Sequence, residues 1–259
     1  GEWLRAVQAD FKHWSVYCSE QLSGTDYDWH GDLGKTLTAI GAKTRPGLHL
    51  SVALRSFRAE PLSAFMSAVV SGSALAAREL MAQIPKYPVR ITRELSAALH
   101  WVKTSARGTE RYGLLASSGA ARLRPEGVVV KIKAKPEEWF LNGREDVRSS
   151  FYMEDVATEF DVQGLELDWT VVCWDANFRR HENAWRAMNF KGTKWQPVND
   201  SVRQRYIANS YRVLLTRARQ GTVIYVPKGV ASDPTRNPAW YYSIYDHLKT
   251  CGIPDLNQQ

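Results

Sequence analysis

The hydrophobic positions change period several times along the chain. Trp3, Leu4, Val7 and Phe11 recur at the spacing of one helical face over 3–14, and "WSVYCS" after them reads as a short strand. Residues 19–47 are rich in Gly and Asp and show no clear period, which predicts a surface loop or insertion. Leu48, Leu50, Val52 and Leu54 alternate with His49, Ser51, Ala53 and Arg55, the period of a strand. Pro61 then opens a helical pattern through Leu62, Phe65, Met66 and Val69. A second helix is predicted over 73–84, a strand at "YPVRIT", a helix over 94–107 stopped by Gly108, and an apolar strand at "RYGLLASSG". "GVVVKIKAK", "LDWTVVCWD" and "GTVIYVP" are further β-rich runs, and the last two are apolar enough to be buried on both faces. A helix is predicted over 201–219, and a last one from Pro238 to a stop at Gly252.

Strands that alternate with helices imply right-handed crossovers, and so an α/β fold with a mainly parallel sheet and helices on both faces. In such sheets ligands lie beyond the carboxyl ends of the strands. Three loops there carry charged or small polar residues: "LRSFRAE" after 48–54, "ASSGAARL" after 112–115, and the "TEFDVQGLELD" turn before 169.

Composition narrows the class. With 259 residues, 44% apolar and 24% charged, the chain can bury one or two cores. It has no apolar run near the roughly 18 residues that a membrane helix needs and no secretory apolar core at its start, so a cytoplasmic protein without a membrane partner is expected. Cys18, Cys173 and Cys251 are far apart and in no CxxC pair, and the six histidines show no ligand-like spacing; no structural metal is expected. A net charge of +7 favours phosphate-bearing partners.

Two stretches invite a phosphate reading. "HGDLGKT" has a lysine and threonine after glycine, but a P-loop requires a glycine five residues before Gly34, and position 29 is Trp; a plain polar loop is expected. In "EFDVQGLELDWTVV", Gln163 and Gly164 occupy a turn, with Glu166 and Asp168 two apart before a buried strand. A glycine there lets backbone approach a phosphate and a carboxylate can accept from ribose hydroxyls, while the other reading is a solvated acidic turn. A metal nuclease would want a lysine behind the acids, and none stands there. In "YRVLLTRARQG", the 201–219 helix would place Ile207, Tyr211, Leu214, Leu215 and Ala218 on one side and project Arg212, Arg217 and Arg219 from its edges. Guanidinium groups suit phosphate oxygens, and for Arg212 and Arg219 they also suit the negative end of a helix dipole.

As a set, these stretches resemble superfamily 1 helicases. "LHLSVALRSFRAEPLSAFMSAVVSGSAL" resembles their strand-end arginine motif, with Leu54 where an aromatic residue is usual. "YGLLASSGAARL" is similar to the next strand of their second RecA-like lobe, "VATEFDVQGLELDWTVV" to motif V and "NSYRVLLTRARQGTVIYVP" to motif VI. All four stand in family order over about 48–228, and within the superfamily the strings resemble the Schlafen-type bacterial DNA/RNA helicase-like family.

The resemblance implies a RecA-like (P-loop NTPase type) fold that lacks the P-loop itself. Residues 1–47 would be a remnant of a first lobe and 48–259 a second lobe. It implies that Arg217 is the arginine finger on the transferred phosphate and that Arg55 also reaches it. Gln163, Gly164 and Glu166 would face the nucleotide, and Thr158, Ser117 and Ser118 the nucleic-acid backbone. ATP with Mg²⁺ would be held by a first RecA-like lobe whose motifs lie upstream, so this chain alone should bind no cofactor firmly and turn nothing over. The full protein would be an ATP-dependent helicase or translocase on DNA or RNA. The alternative is a non-catalytic nucleic-acid-binding or regulatory module derived from a helicase lobe. Residues 177–200, where arginines and lysines are mixed with aromatics between a strand and a helix, are the expected strand-contacting insertion. Most tryptophans, Trp169, Trp174, Trp185 and Trp195 included, are expected in the core or at a lobe interface.

Overall fold

The computed structural model describes residues 2–19, 33–48, 59–130 and 135–257. The chain divides into two compact units, residues 1–54 and 55–259.

The first unit holds helix α1 (Glu2–Asp10) and a two-stranded parallel pair of β1 (Tyr17–Cys18) and β2 (Lys43–Thr44), with α2 (Leu33–Ala39) between them in sequence. The loop expected over 19–47 is therefore in part a helix and a strand. Gly34, Lys35 and Thr36 lie in the first turn of α2 and not in the polar loop expected there. Pro46–Leu48 form a 3₁₀ turn, and the rest of the strand expected over 48–54, with Arg55, lies outside the described residues.

The second unit opens with α3 (Ala59–Ser71) and α4 (Ala74–Met81). Phe65, Met66 and Val69 are fully buried at the predicted helical spacing, worth about 1.5–3 kcal/mol each. Then come β3 (Val89–Thr92), α5 (Leu95–Ser105), β4 (Tyr112–Ala116), α6 (Pro136–Leu141), β5 (Val156–Ala157) and β6 (Leu167–Cys173). An antiparallel meander of β7 (Phe178–His181), β8 (Ala184–Lys191) and β9 (Lys194–Pro197) follows, and the chain continues through α7 (Ser201–Leu215), β10 (Ala218–Tyr225) and α8 (Pro238–Thr250).

Five strands form an all-parallel sheet in the order β3-β10-β6-β4-β5. Alternate residues of its central strands enter two separate cores. Val172 and Ile224 pack with α3, α4, α7 and α8, and Val171, Cys173, Val223 and Tyr225 pack with α5 on the other face. This is the α/β arrangement that the alternation predicts, and it agrees with the RecA-like fold that the resemblance implies. Gly113 lets α6 close on the sheet, since a Cβ there would sit 2.6 Å from the ring of the buried Trp139.

Two further expectations need correction, and the insertion over 177–200 proves to be folded. The run "GVVVKIKAK" is no strand in its described part: a 3₁₀ helix over Ala121–Glu126 leads into irregular backbone. The insertion over 177–200 is a folded meander, its first hairpin turned by Glu182 (φ 48°) and Asn183 (φ 62°), two left-handed residues of the kind a tight hairpin demands. Helix α7 stops at Leu215, and just beyond it the backbone N–H of Leu167 donates to the Arg217 carbonyl at 2.9 Å and Ala218 pairs with Leu167. Sheet pairing thus overrides the helical pattern of "TRAR". Among the described residues the tryptophans fall largely as expected, with Trp174 fully buried and Trp185 and Trp195 packed against the core.

Candidate functional site

The loops that leave β4, β5 and β6 meet α7 around a cleft of about 680 Å³. Its lining includes Ser117, Ser118 and Gly119 from the loop after β4, Glu159, Phe160 and Gln163 from the turn after β5, Asn177 from the loop after β6, and Met188 and Asn189 from β8. One side of α7 supplies Arg203, Tyr206, Ile207, Asn209, Ser210 and Val213. The helix can begin there because the Asp200 side chain accepts from the backbone N–H groups of Val202 and Arg203 at 2.8 and 3.1 Å.

The predicted polar residues of the cleft are held by internal partners. Ser117 is buried; its Oγ accepts from Asn177 Nδ2 at 3.1 Å and lies 3.4 Å from Ser210 Oγ. Ser118 grips Glu159 with its hydroxyl (2.7 Å) and its backbone N–H (2.8 Å). Thr158 lies next to this cleft in sequence but spends its hydroxyl on Asp161 at 2.7 Å, closing the turn that follows β5. Below the cleft floor, Asp175 is fully buried, and burial pushes its carboxyl above the usual range. It accepts from Ala176 N–H, Arg122 N–H and the Tyr241 hydroxyl at 2.7, 2.8 and 2.8 Å. Burial also raises Tyr211, whose protonated hydroxyl donates to Asn177 Oδ1 at 2.6 Å.

The second group of predicted residues gathers at the amino ends of β6 and β10. Gly164 turns the chain with φ 81°, a conformation that favours glycine, and apart from its own chain neighbours no atom of the described residues lies within 4 Å of where its Cβ would be. Arg217 follows α7 and is only 7% exposed, so it does not project from a helix edge as the pattern suggested. Its Nε donates to the Val213 carbonyl at 2.9 Å and its Nη1 reaches the Val162 carbonyl at 3.5 Å. The structure thus places Arg217 against the turn that carries Gln163, Gly164 and Glu166. Gln163 and Val213 also line the cleft, so one turn and one helix border both groups.

Arg219 belongs to β10 and not to a helix end; its guanidinium pairs at 2.8 Å with Asp168, which also accepts the backbone N–H of Arg111 at 2.7 Å. Asp168 therefore fastens a strand and does not pair with Glu166. Among the described residues no cluster of His, Cys, Asp and Glu is arranged to hold a metal, and no helix is long and apolar enough to cross a membrane.

Sequence reasoning passed over Glu159, Phe160, Tyr206 and Asn177. The signal for two of them was present: Phe160 stands in a polar turn, and Tyr206 lies off the apolar side of α7. Both are well exposed, at 68% and 58%.

A family model described as "Schlafen group 3, DNA/RNA helicase domain" matches residues 5–228. No curated protein and no solved structure shows significant similarity to the chain.

Proposed function

The chain belongs to the Schlafen group 3 DNA/RNA helicase-domain family, and from that premise we propose that it works as the second RecA-like lobe of an ATP-driven motor on DNA or RNA. A first lobe brings the triphosphate with its Mg²⁺. The glycine turn at 163–166 lies along the ribose and phosphates, and the Arg217 guanidinium stabilises charge on the transferred γ-phosphate. The open space beside Gly164 fits such a ligand, because backbone there is accessible. Arg55 is the second arginine in this reading. The polymer strand lies in the cleft beyond the strand ends.

The observation that carries the reading is the shared wall between the two groups. Val213 and the 162–163 turn hold Arg217 through their carbonyls and border the cleft with their side chains. A strand in the cleft and a nucleotide beside Arg217 would therefore bias the same turn, which is what coupling of hydrolysis to translocation requires.

Arg217→Ala in a preparation containing both lobes should lower ATP turnover by about 10³-fold and leave strand binding intact. An unchanged turnover would remove Arg217 from the chemistry. A second reading, a non-catalytic binding module, is favoured by the burial of Arg217 and the two carbonyls it serves. In that case Arg217→Ala would lower stability alone, and strand affinity would depend on salt and not on ATP.

A further inference from the structure

The cleft beyond the strand ends has a carboxylate in its lining. Glu159 is buried, and each of its oxygens accepts one hydrogen bond from Ser118. Among the described residues no lysine or arginine forms an ion pair with it. A phosphate brought against this group would meet like charge where water screens poorly. A base edge would not. A carboxylate has about four acceptor directions, and Ser118 uses two of them, so an incoming N–H can still be accepted.

The rest of the lining agrees. Phe160, from the turn after β5, and Tyr206, from α7, both line the cleft while remaining largely exposed. Exposed aromatic faces at a cleft are platforms for bases, worth about 1–3 kcal/mol per stacked base.

Building on the strand-binding reading above, we propose that the cleft takes a nucleobase and leaves phosphate outside, with Phe160 and Tyr206 stacking on the ring and Glu159 accepting an N–H of its exocyclic amino group. Cytosine offers such a group where thymine and uracil present a carbonyl oxygen, which a carboxylate repels. Glu159 is then a specificity-determining residue that selects cytosine over thymine or uracil. Arg203, exposed where α7 borders the cleft, is placed for the phosphate that follows the base. This differs from the backbone contacts that the family resemblance implies for Ser117, Ser118 and Thr158, whose side chains serve internal partners.

The test is fluorescence anisotropy with the chain and labelled oligo-dC, oligo-dT and abasic strands of about twelve nucleotides, within the usual range of single-strand site sizes. Wild type should bind oligo-dC about tenfold more tightly than oligo-dT. Glu159→Gln keeps an acceptor for Ser118 but offers an amide N–H to the carbonyl of thymine, and should level the two affinities. Phe160→Ala should weaken both base-bearing strands and leave the abasic strand unaffected. Equal binding of oligo-dC and oligo-dT by wild type, or a preference that survives Glu159→Gln, overturns the inference alone. No binding of any strand overturns the strand-binding reading with it.

Discussion

The Tyr241 hydroxyl donates to the Asp175 carboxylate at 2.8 Å, tying helix α8 to the loop at the carboxyl end of the central strand. Asp175 is fully buried and its carboxyl titrates above the usual range, chiefly because burial disfavours the charged form. The folded chain therefore holds this proton at pH values where the unfolded chain has released it, and its contribution to stability falls as pH rises through and above about 4. Asp175→Asn removes that titration. The melting temperature of the variant relative to wild type should accordingly improve as pH is raised from about 4 to 7, whatever the starting gap. Thermal unfolding across that range checks it, and a constant gap would show that the buried carboxyl carries no pH-dependent penalty.

Asp168 and Arg219 make an ion pair whose two members should differ in importance. Arg219 is 54% exposed, so Arg219→Ala should cost less than about 1 kcal/mol, and that little should fade in high salt. Asp168 is nearly buried and also takes the Arg111 N–H at the start of β4, so Asp168→Ala should cost about 1–3 kcal/mol with weak salt dependence. Urea denaturation at low and high salt separates them. Equal losses would mean that the pair, and not the clasp on Arg111, is what matters.

These contrasts mark what could be read from residues alone. The nearly continuous apolar run of β6, the helical spacing of α3 and the Pro-to-Gly limits of α8 signalled their structures because the local pattern and the buried environment agree. The end of α7 was hidden because "TRAR" continues a helical pattern, and only the pairing of Ala218 with Leu167 breaks it. The meander over 178–197 was hidden too, since its strands are short and its faces mix Arg, Trp and Asn without clean alternation. At the site, residue types were legible and partners were not. Ser118 and Thr158 read as groups for a ligand, yet each is spent on a carboxylate, Glu159 or Asp161, within a few ångströms. Arg217 read as a projecting side chain because its strand-side neighbours are remote in sequence.

The stretch around Tyr211 gives the last prediction, since that ring joins the core to the cleft floor. Tyr211 stacks on Trp174 with centroids 4.2 Å apart and an interplanar angle of 25°. Its hydroxyl accepts the Asp175 N–H at 3.2 Å and donates to Asn177, which in turn donates to Ser117. Tyr211→Phe keeps the ring and leaves the Asp175 N–H and the Asn177 carbonyl oxygen without that partner in a buried place, at a cost of about 1–3 kcal/mol. The denaturation midpoint should drop with an unchanged slope, and the near-ultraviolet signal of the stack should persist. Strand affinity should drop as well, because Asn177, which lines the cleft, loses the hydroxyl that fixes its side chain. A variant that loses stability while binding strands as before would confine the network to the core and separate it from the site.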